Sequence, residues 1–122
     1  MFNGGVVKSR VKQAQIDIEK LEVTKRDTRL ALDLSLQNAI TQLNNSLITL
    51  NTQKENVNLA QEVLSNFENN YEFGLATLTD LLDAETSYAD AQNNHTNALL
   101  DYKIAEIQLI KAKGELKSLT EN

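Results

Sequence analysis

The sequence contains no cysteine, so a disulfide framework and thiol chemistry are excluded. It contains no proline, so no position breaks a helix by ring clash or by a missing N–H. Tryptophan is absent and aromatic residues make up only 5%, too few for an ordinary globular core. No run approaches the roughly 20 apolar residues that a membrane-spanning helix needs, and no secretory leader pattern is visible. Glycine occurs only as Gly4, Gly5, Gly74 and Gly114, which leaves two long uninterrupted runs, 6–73 and 75–113. Glycine is the usual residue where a backbone leaves a helix. The order is therefore start, helix, turn, helix, end.

What remains is rich in Leu, Ala, Asn, Gln and Thr, with an uneven charge. Residues 1–54 carry eight bases and five acids, and residues 55–122 carry four bases and twelve acids, within a total of −5. Between Glu55 and Asp101 stand nine acids and no Lys or Arg. A surface of that sign disfavours nucleic acid, whose phosphates need bases. Its simplest reading is a solvated face.

Heptad spacing fills both runs. In the first, Leu36, Ile40, Leu43, Leu47 and Leu50, then Val57, Ala60, Leu64, Phe67 and Tyr71, recur at steps averaging 3.5, with Gln53 and Lys54 between the sets. In the second, Tyr88, Ala91, His95, Ala98, Tyr102, Ala105, Leu109 and Ala112 do the same. Thr77 and Asp80 have capping-box spacing and mark a helix start. Lys111 and Lys113 suit a C-terminal dipole end before Gly114. The spacing predicts an all-α chain: one long antiparallel coiled-coil helical hairpin over 1–122. Helix 1 covers about 6–70, the tip turn 71–77, helix 2 about 78–113 and a tail 114–122. The helices would span on the order of 95 Å and 55 Å. With the turn centred near Leu75, Tyr102 stands near Ile48, Leu109 near Thr41 and His95 near Glu55. Val7, Val11, Ala14, Ile18 and Leu21 lie beyond the reach of helix 2 and need other helices for burial.

His95 is the sole histidine, and polar packing in the seam accounts for it. A metal site needs more ligands. No base stands beside a nucleophile and no phosphate loop is present, so neither an enzyme, a cofactor nor a metal is expected.

Tyr71-x-x-Gly74-Leu75-Ala76-Thr77-Leu78-x-Asp80-Leu81-Leu82-Asp83-Ala84 resembles the signature of TolC-type outer-membrane efflux channels, where two long periplasmic helices meet. Phe2-Asn3-Gly4-Gly5 is similar to the family's Phe-Asp/Asn-Gly-Gly, where a barrel strand enters the descending helix. Ala112-Lys113-Gly114-Glu115-Leu116 is similar to the Ala-x-Gly-x-Leu that ends the ascending helix. The three pieces occur in order and cover almost the whole chain.

The resemblance implies a homotrimer held in the outer membrane by β-barrel segments, with a helical tunnel in the periplasm. This chain would be the second periplasmic hairpin, a fragment of the α-barrel cut from a longer protein that also carries a first hairpin, strands and a leader. The partners implied are a periplasmic adaptor protein and an inner-membrane transporter, with no nucleic acid. Gly74, Leu75, Ala76 and Thr77 match the element that meets the adaptor. Asp80 and Asp83 match positions of acidic rings at the tunnel entrance, which attract cations and repel anions. Better-known members carry an Arg two residues after the tip glycine. Ala76 stands there in this chain, which implies a different or weaker closure. Two rival readings stay open: the hairpin of a periplasmic adaptor protein, and a purely structural coiled coil.

Overall fold

The computed structural model describes residues 2–121. It is built from two helices, α1 (Phe2–Glu72) and α2 (Leu78–Glu121), with no strand among the described residues. The chain is an all-α helical hairpin. Two of the predicted ends differ from those observed. Gly4 and Gly5 lie inside α1, and α2 continues through Gly114 to Glu121. An interior glycine costs a helix only about 1 kcal/mol relative to Ala. The flanking Lys, Glu and Leu residues sustain the helix across it. Among the described residues Gly74 alone has a positive φ, of 74°.

The chain divides into two compact units. One is Ala39–Lys111, and the other joins the residues through Asn38 to those from Ala112. In the first unit the half-buried and buried positions of α1 are Ala39, Ile40, Leu43, Ser46, Leu50, Gln53, Val57, Ala60, Leu64 and Phe67. Those of α2 include Leu81, Ala84, Tyr88, Ala91, His95, Ala98, Tyr102, Ala105 and Leu109. Both series keep alternating steps of three and four, the pattern of a left-handed supercoiled pair. The antiparallel match sets Phe67 across from Leu81, Leu64 from Ala84, Ala60 from Tyr88, Val57 from Ala91, Gln53 from His95, and Leu50 from Ala98. Further along, Ser46 faces Tyr102, Leu43 faces Ala105 and Ala39 faces Leu109. The grooves beside the seam agree: Ala60, Val63 and Phe67 share one with Asp80, Ala84 and Ser87.

The register is two residues away from the predicted one although the turn between Glu72 and Leu78 is centred on Leu75 as expected; the half-buried positions, and not the midpoint of the turn, set it. Ser46, Ala39 and Gln53 take the places expected for Ile48, Thr41 and Glu55. Leu47 is 40% exposed and Tyr71 44%, so both leave the seam. Gln53, read as an interruption, is one of its layers.

Most layers join one large residue to one small one. The buried side chains among the described residues are all alanines: Ala39, Ala84, Ala98, Ala105 and Ala112. Alanine at a seam position lets helix axes approach toward the short end of the usual 8–10 Å. In the other unit Ala112 is buried and Leu32, Leu36, Leu116 and Leu119 are half-buried, whereas residues 4–31 are exposed throughout.

Candidate functional site

The tip is built by two interlocking end motifs. At the end of α1, the Leu75 N–H donates to the Asn70 carbonyl at 2.7 Å and the Gly74 N–H donates to the Tyr71 carbonyl at 3.1 Å. With Gly74 in the left-handed region, these bonds make a Schellman motif that satisfies the last carbonyls of the helix. At the start of α2, the Asp80 N–H donates to Thr77 Oγ1 and the Thr77 N–H donates to Asp80 Oδ2, both at 3.1 Å. This is the reciprocal capping box that the sequence predicts. Ala76 and Leu81 occupy the staple positions on either side of the cap, and both are half-buried.

One part of the Schellman motif is missing. Its residue after the glycine normally packs on an apolar residue in the last turn of the helix. That residue is Leu75, and the receiving positions are Asn69 and Asn70. Leu75 is accordingly 80% exposed. Phe73, immediately before the glycine, is 76% exposed, and Leu78 and Leu82 are about half exposed. The turn therefore presents an apolar patch that its own chain leaves uncovered. Phe73 is the residue that sequence reasoning missed. Its signal was a large aromatic placed where the helix ends and no seam position remains.

Of the predicted site residues, Gly74, Leu75, Ala76 and Thr77 form the turn itself. Asp80 is committed to the cap. Asp83 is exposed, one helical turn on, and shares with Asp80 a groove whose floor is apolar: Leu59, Ala60, Val63 and Phe67. Among the described residues no three His, Cys, Asp or Glu side chains gather to hold a metal ion, and no helix is long and apolar enough to cross a membrane.

The profile of the outer membrane efflux protein family matches residues 1–115. The outer membrane protein TolC of Salmonella enteritidis is 34% identical over 120 residues, covering 95% of this chain and 24% of that protein. The outer membrane protein TolC of Escherichia coli (strain K12) is 33% identical over the same length, with the same coverage of each chain. That of Vibrio cholerae serotype O1 is 30% identical over 120 residues, covering 95% of this chain and 26% of the relative. The chain thus spans about a quarter of the length of these relatives. No solved structure matches it. A family match over residues 1–115, with relatives 30–34% identical over 95% of the chain, establishes that the chain belongs to the outer membrane efflux protein family.

Proposed function

We propose that this hairpin is a wall segment of the periplasmic tunnel of a trimeric outer-membrane efflux channel. In this reading residues 1–122 serve as one hairpin domain of a longer chain, anchored in the outer membrane by β-barrel segments. The tip docks a periplasmic adaptor protein, which links the channel to an inner-membrane transporter. The hairpin itself does no chemistry. It conducts exported substrates passively while the transporter supplies the energy.

The observation that carries this reading is the uncovered apolar tip. A Schellman motif that places asparagines where its own leucine should pack offers Leu75 to another molecule, together with Phe73. The sides of the hairpin support assembly in the same way. Leu99, Leu100, Ile104, Ile107 and Ile110 are 41–66% exposed on α2. Neighbouring helices in a closed barrel would cover such a surface. Asp83, exposed and without a capping duty, faces the tunnel entrance, and Asp80 stands beside it.

A photocrosslinking amino acid placed at Leu75 or Phe73 in the full-length protein tests the docking role. Adaptor adducts at both positions, and none at the solvent-facing Asn58, are the expected result. Adducts at Asn58 but not at the tip would refute it.

A further inference from the structure

Near the tip the two helices frame an open groove of about 470 Å³. Leu59, Val63 and Phe67 line it from α1, and Asp80, Asp83 and Ser87 line it from α2. The flank of α1 that faces the groove runs Thr52, Asn56, Leu59, Val63, Asn66 and Asn70, at steps of four and three. Two large apolar residues therefore interrupt a polar flank. Neither belongs to the seam: Leu59 is 60% exposed and Val63 38%. Phe67 and Ala60 extend the apolar floor to the seam itself, over about 12 Å from Leu59 to Phe67. A docked amphipathic helix is held through anchors at i, i+3, i+4 and i+7. This floor offers two exposed side chains, which suits a smaller occupant.

The rim of the groove is anionic and has no base set against it. Asp83 has no hydrogen-bond or ion-pair partner among the described residues. Asp80 gives one oxygen, Oδ2, to the cap. Every residue at this level of the hairpin comes from the stretch between Glu55 and Asp101, which holds no Lys or Arg.

We propose that this groove binds organic cations that carry an apolar body, the alkyl- and arylammonium class. The body lies on Leu59, Val63 and Phe67, and the cationic head stands at Asp83 with Asp80 close by. Charge alone would draw any cation, and at an exposed carboxylate its hold is at most about fivefold. Contact with the floor adds about fourfold for each methylene taken out of water. The pair of requirements selects an amphipathic cation over an inorganic one and over an apolar anion. The site belongs to a single hairpin and needs neither a trimer nor an adaptor. In the tunnel reading it becomes a resting place for exported amphipathic cations, and only that use rests on the reading.

Hexyltrimethylammonium titrated into the isotope-labelled chain, followed by amide chemical shifts in NMR, tests the site. Saturable shifts are expected at Leu59, Val63, Asp83 and Ser87. The affinity should exceed by about tenfold or more that of tetramethylammonium, which has the head without the body. It should exceed by a similar factor that of hexanesulfonate, which has the body with the opposite charge. Asp83→Asn should weaken binding about two- to fivefold, and Leu59→Asn about tenfold. Both positions are exposed, so the variants should keep the hairpin's helicity. Equal binding of tetramethylammonium would overturn the inference, because the acids would then hold only a counterion atmosphere. Equal binding of hexanesulfonate would overturn it too, since the groove would not select by charge. No saturable shift in the groove, or shifts confined to the tip, would leave the groove to another occupant such as a protein segment. None of these results bears on adaptor docking at Leu75 and Phe73, so the two readings fail separately.

Discussion

Gly74 carries the turn because its φ of 74° is a conformation that L side chains rarely adopt. A Cβ there would meet nothing within 4 Å, so the strain of a substitution is purely one of backbone. Gly74→Ala should therefore destabilise the hairpin by about 1–2 kcal/mol in urea unfolding followed by circular dichroism. Asn, which tolerates the left-handed region, should cost less. Thr77→Ala removes the acceptor for the Asp80 N–H and should cost about 1 kcal/mol. Both residues were legible in the sequence, since a lone glycine followed by Thr-x-x-Asp has a local mechanism. The sequence alone does not show whether Leu75 is covered by its own helix. Only the bonds to Asn70 and Tyr71 identify the motif and reveal that its apolar contact is missing.

At the scale of the helices, the seam of α2 was read correctly at Tyr88, Ala91, His95, Ala98, Tyr102, Ala105, Leu109 and Ala112, because its three-four alternation has no competitor. The seam of α1 was blurred. Leu47 beside Ser46 offered a more apolar choice, and the polar Gln53 looked like a gap. Hydrophobic periodicity alone cannot decide between adjacent positions when the partner contributes small residues. Packing against Tyr102 and His95 decides it. The predicted end at Gly114 failed for a related reason: a glycine with no demand on its backbone angles does not stop a helix whose flanks favour one. The alanines carry a further expectation. Ala98 is 4% exposed across from Leu50, so Ala98→Leu should overpack the layer and lower stability by about 1–3 kcal/mol. Ile107→Gln, at a position 65% exposed, should change the stability of the isolated hairpin by less than about 0.5 kcal/mol. Thermal and urea melts of the two variants would check both.

At the scale of the whole molecule, the buried residues among those described are all alanines, and many large apolar side chains stand exposed on the faces and tip. The chain spans about a quarter of the length of the relatives that it matches, and in the proposed reading such faces meet neighbouring helices of a tunnel. In the proposed tunnel role, the acidic stretch around the tip, with no Lys or Arg between Glu55 and Asp101, would bear on conduction. Asp83→Asn in the full-length channel should reduce its preference for cations in planar-bilayer recordings and leave hairpin stability unchanged, because Asp83 has no capping role. Ala76→Arg should lower closed-state conductance by offering the tip a basic group that it now lacks. Equal conductance in the two channels would count against a weak closure.

The most direct test of the docking reading is to introduce Leu75→Asp into the full-length protein and measure how much adaptor co-purifies with the outer-membrane trimer. Leu75 is 80% exposed and touches no seam layer, so the hairpin and the trimer should form as before. The predicted result is an intact trimer that has lost most of its adaptor. An intact trimer that retains its full complement of adaptor would contradict the account.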